Sequence, residues 1–155
     1  MAVESNICIH SAFGKELQSP DLGRFYKRNG HKGRVQSNDR CIWLTVEKEI
    51  VAAARLSTML EHHSSEPDES TILRGLWVGK QHRNLGLGSF LLIEICTKQI
   101  NSDLTLYCFA YEEALPFYQK HGFRAATESA PSFLLQKQKA YCSRGSKTQL
   151  MVYNR

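Results

Sequence analysis

Apolar positions along the 155-residue chain fall into short runs rich in branched and aromatic side chains, separated by polar punctuation. These runs predict strands at Ile7–His10, Cys41–Val46, Ile50–Leu60, Ile72–Val78, Leu104–Phe109, Phe123–Thr127 and Gln149–Tyr153. Only Glu47, Lys48 and Glu49 separate the second run from the third, so those two are expected to form an antiparallel hairpin. Gly86–Ile100 has a different rhythm. Its polar residues Glu94, Thr97, Lys98 and Asn101 recur at three and four, with Glu94 and Lys98 placed to pair. Leu87, Phe90, Leu91, Leu92, Ile95 and Cys96 occupy the remainder, which predicts a largely buried helix. A shorter helix is expected over Glu113–His121, with Pro116 in its first turn and Gly122 as its stop. Leu22–Arg28 and Ser132–Cys142 are further helical segments. The resulting order, β-α-β-β-β-α-β-α-β-α-β, predicts an α/β domain around one mixed sheet. Ile72–Val78, the long helix and Leu104–Phe109 make a βαβ crossover, so those two strands are expected to be parallel.

Composition narrows the class. A chain of this length supports one core-bearing domain, taken here as residues 1–155, and the polar stretches His62–Ser70 and Asn29–Asp39 read as loops within it. No run of about 18 apolar residues is present, so no membrane span is expected, and no secretory leader is legible. Cys8, Cys41, Cys96, Cys108 and Cys142 are odd in number and widely spread, which reads as reduced thiols and a cytoplasmic setting. No metal-ligand cluster is visible, because the adjacent His62 and His63 diverge on an extended chain.

Net charge is +5, and it is uneven. Arg24, Lys27, Arg28, Lys32, Arg34 and Arg40 are opposed locally by Asp21 and Asp39 alone; after Glu128 the chain has no acid but keeps Lys137, Lys139, Arg144, Lys147 and Arg155. Most such charges are ordinary solvated surface, yet a basic surface also attracts anions.

The informative segment is V-G-K-Q-H-R-N-L-G-L-G-S-F-L-L, Val78–Leu92. A strand ends, a polar turn carries one arginine and two glycines, and a long helix begins at once. Such a turn can cradle a pyrophosphate: glycines allow close backbone approach, and the helix N-terminus adds unsatisfied donors and a positive dipole end. A Walker loop is excluded, since no Gly-Lys-Ser/Thr follows. A dinucleotide fingerprint is excluded too, because Leu91 stands where its third glycine would fall.

Arg83–Gly88, R-N-L-G-L-G, resembles the Gln/Arg-x-x-Gly-x-Gly/Ala signature of the GNAT superfamily of N-acetyltransferases. A second stretch, A-L-P-F-Y-Q-K-H-G-F at Ala114–Phe123, is similar to that superfamily's second CoA-side motif. The resemblance covers residues 50–127, and the flanks fit by element order. It implies a mixed, mostly antiparallel sheet of about six to seven strands, splayed between the fourth and fifth, with helices on both faces.

It also implies acetyl-CoA as donor, an amine on a small molecule or protein as acceptor, and no metal. The backbone of Leu76, Trp77 and Val78 would pair with the pantetheine, helped by a bulge at Gly75. Arg83, Asn84, Leu85, Gly86, Leu87, Gly88 and Ser89 would hold the pyrophosphate. Tyr118 matches the family's tyrosine that protonates the leaving thiolate, a role suited to a phenol that is neutral at physiological pH. Read without the motif, the same tyrosine is a core residue beside Phe117.

Two departures stand out. The strand before the turn carries no carboxylate, so Glu61, His62 and Glu69 are the nearest candidates for a base, each otherwise an ordinary loop residue. Tyr111 stands where many relatives carry asparagine. The absent strand acid leaves open a different class of function, an acetyl-CoA-binding regulatory module with little or no turnover. Action on RNA rests on the basic segments alone, without a motif. Cys108 belongs to no legible Cys/His pair, and Trp43 and Trp77 read as core or wall. The acceptor site is expected from residues 17–40, 61–70 and 128–147, and the chain is expected to be a monomer or homodimer.

Overall fold

The computed structural model describes residues 6–60, 69–99 and 105–153, apart from the side chains of Met59, Leu60, Glu69 and Gln99. Seven strands form one sheet: β1 (Ile7–Phe13), β2 (Arg40–Val46), β3 (Glu49–Leu60), β4 (Glu69–Val78), β5 (Thr105–Tyr111), β6 (Phe123–Ala125) and β7 (Thr148–Tyr153), in the order β1-β2-β3-β4-β5-β7-β6. Among the described residues four α-helices interrupt them: α1 (Asp21–Arg28), α2 (Leu87–Gln99), α3 (Leu115–Lys120) and α4 (Ser132–Ser143). The predicted element order and the expected strands all recur. The β2–β3 turn is tighter than expected, since Glu49 already belongs to β3. Glu47 and Lys48 adopt φ of 51° and 68°, the left-handed pair that closes a two-residue hairpin with the twist of its strands. The β4–β5 ladder is parallel, from Ser70↔Thr105 to Leu73↔Cys108, as the crossover requires.

The Cα framework falls into two compact units, Met1–Ser57 with Arg74–Gln99, and Thr58–Leu73 with Ile100–Arg155. In the first, strand alternation sends Cys41, Trp43 and Ala53 to one face, where Leu22, Phe25 and Tyr26 of α1 pack with Trp77. Ile42, Leu44, Ala52 and Ala54 point to the other face and are buried as well. In the second unit Ile72, Tyr107, Leu150 and Val152 pack with Ala130 and Leu134.

Helix α2 buries Leu87, Leu91, Leu92 and Ile95, and the expected Glu94–Lys98 pair forms at 3.0 Å. Phe90 departs from expectation at 37% exposed, with Ile93 at 50%. At 3.6 residues per turn, positions 90, 93 and 97 continue the wet stripe of Glu94 and Lys98, so that face is wider than its polar residues alone suggested.

Candidate active site

The end of β4 runs directly into the glycine-bearing turn. Gly75, inside the strand, has φ of 59°, and a Cβ there would lie 3.0 Å from His31 Nε2 and 3.1 Å from Arg55 Nε. Only glycine meets both demands. Beyond it Leu76, Trp77 and Val78 are half-buried, and Gly79 N–H donates to Val51 O at 2.8 Å, pinning the strand exit to β3.

A 3-10 turn over Lys80–His82 follows, then Arg83, Asn84, Leu85 and Gly86, all exposed. Asn84 and Gly86 lie in the left-handed region at φ of 63° and 80°, and open space surrounds the position where a Gly86 Cβ would project. The first helical bond of α2 is Phe90 N–H to Gly86 O, at 2.9 Å. Leu87 and Gly88 therefore form the helix's first turn, whose amides have no acceptor within the helix. Leu87 is buried and anchors the helix start, while Gly88 and Ser89 are half-buried. The result is an exposed backbone turn at a positive dipole end, suited to an anion. Arg83 is partly engaged locally: its Nε donates to Val78 O at 3.2 Å, and its guanidinium sits 5.6 Å from the Trp77 ring centroid.

In the second unit Tyr118 lies on α3, half-buried, with ring centroids of Phe117 at 5.2 Å and Phe123 at 5.4 Å. Burial pushes the phenol's pKa up, and the nearby Cys108 thiol adds to the shift. The phenol therefore stays protonated at neutral pH. Tyr111, at the end of β5, is 60% exposed.

The family model of the acetyltransferase (GNAT) domain matches residues 37–125, more than half of the chain. The chain belongs to the GNAT acetyltransferase family. Solved structures support the fold assignment of this GNAT chain. N-acetylglutamate synthase from Neisseria gonorrhoeae, complexed with coenzyme A and N-acetyl-glutamate, superimposes with a TM-score of 0.66 at 18% identity over 96% of the chain. The chain spans only 35% of that synthase. Escherichia coli ElaA gives 0.63 at 17% identity, covering 96% of this chain and 99% of its own. An aminoglycoside acetyltransferase from a soil metagenomic sample gives 0.62 at 16% identity, covering 83% and 95%. A search of the curated proteins finds no match.

Of the residues singled out from sequence, Leu76–Val78 and Arg83–Ser89 form one continuous strand–turn–helix, whereas Tyr118 stands on a separate element. Glu61 and His62 lie outside the described residues, as does the side chain of Glu69. Among the described residues no group of three or more His, Cys, Asp or Glu is placed to hold a metal ion, and no helix is long and apolar enough to cross a membrane.

Sequence reasoning missed a polar cluster behind β4. Arg55, on β3, pairs with Asp39 at 3.2 Å, with both side chains almost fully buried. The same arginine donates to Arg34 O and lies 3.5 Å from His31 Nε2. Asp39 also accepts from Ser57 Oγ at 2.7 Å and Gln36 N–H at 2.8 Å. Burial, and then the Arg55 charge, push the His31 pKa down, which keeps that ring neutral. The available signal was a lone arginine in an otherwise apolar strand run, V-A-A-A-R-L.

Proposed function

We propose that the chain binds acetyl-CoA at the β4–α2 turn and transfers its acetyl group to a primary amine. The amine nitrogen attacks the thioester carbonyl carbon, a C–N bond forms, the C–S bond breaks, and the amine gives up one proton to water. Tyr118 gives its phenolic proton to the departing thiolate, and its phenolate takes a proton back from water before the next turnover. Leu76, Trp77 and Val78 pair with the pantetheine through their backbone, and Arg83–Ser89 hold the pyrophosphate. The observation that carries this reading is the exposed turn of left-handed Asn84 and Gly86 leading into the first turn of α2. Family membership and the coenzyme A in the gonococcal synthase structure support the choice of donor. The free state of all five cysteines supports a reducing compartment such as the cytoplasm.

The test is calorimetric binding of acetyl-CoA, together with thiol release across a panel of amino acids, aminoglycosides and peptide N-termini. Gly86→Val forces a branched side chain into a left-handed position that has open space around it. The variant is expected to stay folded and lose about tenfold or more in acetyl-CoA affinity. Unchanged affinity in the folded variant would overturn the cradle. Tight binding without release for any amine would favour a regulatory module.

A further inference from the structure

The strand segment proposed to meet the pantetheine is held from behind by the last turn of α1. Tyr26, 1% exposed, donates its hydroxyl to Gly75 O at 2.8 Å. Asn29, at the C-terminal cap of the same helix and 8% exposed, is fixed by its own Nδ2 bond to Phe25 O at 2.9 Å. Its Oδ1 accepts the Lys80 N–H at 2.9 Å, and its backbone oxygen accepts Trp77 Nε1–H at 2.8 Å. Three hydrogen bonds from one helix end thus reach Gly75, Trp77 and Lys80, bracketing the peptide groups of Leu76 through Gly79. The Arg55 guanidinium, 5.6 Å from the Tyr26 ring centroid and paired with Asp39, buttresses the tyrosine.

We infer that Tyr26 and Asn29 are positioning residues for the acyl donor. They set the direction of the Leu76–Gly79 peptide groups, and neither side chain touches the pantetheine itself. The inference rests on the proposed acetyl-CoA site. A hydrogen bond that orients a binding strand acts only on the ligand part that pairs with that strand. Losing it weakens the pantetheine contact and spares the nucleotide end, which meets the turn beyond.

The experiment compares acetyl-CoA with adenosine 3′-phosphate 5′-diphosphate, which carries the nucleotide and pyrophosphate without the pantetheine arm. Calorimetric affinities are measured for wild type, Tyr26→Phe, Asn29→Ala and Asn29→Asp. Tyr26→Phe and Asn29→Ala are expected to raise the acetyl-CoA Kd about tenfold and change the fragment Kd by less than about twofold. Asn29→Asp keeps the acceptor for Lys80 N–H but loses the Nδ2 donor to Phe25 O, so it is expected to recover only part of the loss. Equal weakening of both ligands would mean a merely structural role and would overturn the inference. So would an unchanged acetyl-CoA Kd in both Tyr26→Phe and Asn29→Ala. Wild-type protein that binds neither ligand would instead sink the proposed site, and the inference with it.

Discussion

Tyr118 shows how one side chain can be legible in identity and hidden in environment. Its place in A-L-P-F-Y-Q-K-H-G-F was readable, but the aromatic rings around it and the upward push on its pKa come from the fold. A raised pKa keeps the phenol protonated further into alkali, so an acid role would show no alkaline loss from this group in the ordinary tyrosine range. Wild-type kcat is expected to stay level up to about pH 10. Tyr118→Phe keeps the ring packing beside Phe117, so acetyl-CoA affinity is expected to hold while kcat falls on the order of 10²-fold. Steady-state kinetics with matched calorimetry checks both halves, and full activity in the variant would assign the proton to another donor. Gly75 is the opposite case. A glycine in a strand run suggested a bulge, and the positive φ together with the crowding by His31 and Arg55 supplies its physical reason.

At the scale of elements, periodicity located the strands and α-helices of the described residues to within a few residues, because each is amphipathic or bounded by turn chemistry. Pairing across the chain was beyond it. Asn29–Asp39 read as a basic loop, yet Asp39 is buried and holds Arg55 from a neighbouring strand, while Asn29 holds β4. Nothing local to either segment announces the partner, since the contacts span distant parts of the chain. The ion pair makes a direct prediction. Arg55→Met leaves the Asp39 carboxylate buried beside Ser57 and Gln36 without its cation, at a cost of about 3–5 kcal/mol. Urea unfolding of the variant measures this. A loss under about 1 kcal/mol would mean that water reaches Asp39.

For the whole molecule, the charge asymmetry is sharper in three dimensions than in sequence. Of the two acids opposing the basic Arg24–Arg40 region, Asp39 is internal and only Asp21 is exposed, 3.7 Å from Arg24. The thiols divide as well: Cys8 and Cys142 are exposed, whereas Cys41, Cys96 and Cys108 are buried. Burial pushes the Cys41 and Cys96 thiols up to about 11, which removes the thiolate that a disulfide reagent needs. Native protein at neutral pH is therefore expected to release two equivalents rapidly to such a reagent, and the remaining three only on denaturation. Uniform reactivity of all five would contradict the burial.

By itself the sequence determined the element order, the parallel crossover, the strand–turn–helix at Val78–Leu92 and the two family motifs. Each of these is written in contiguous residues, where local periodicity, glycine freedom and turn chemistry act. Tertiary structure alone decided that Phe90 faces outward, that Arg83 folds back on Val78 and Trp77, and that Tyr26 and Asn29 grip β4. The last of these depends on which distant groups share a buried space. There an unpaired polar atom costs more than it does in water, so the fold settles each partnership only once the core has closed.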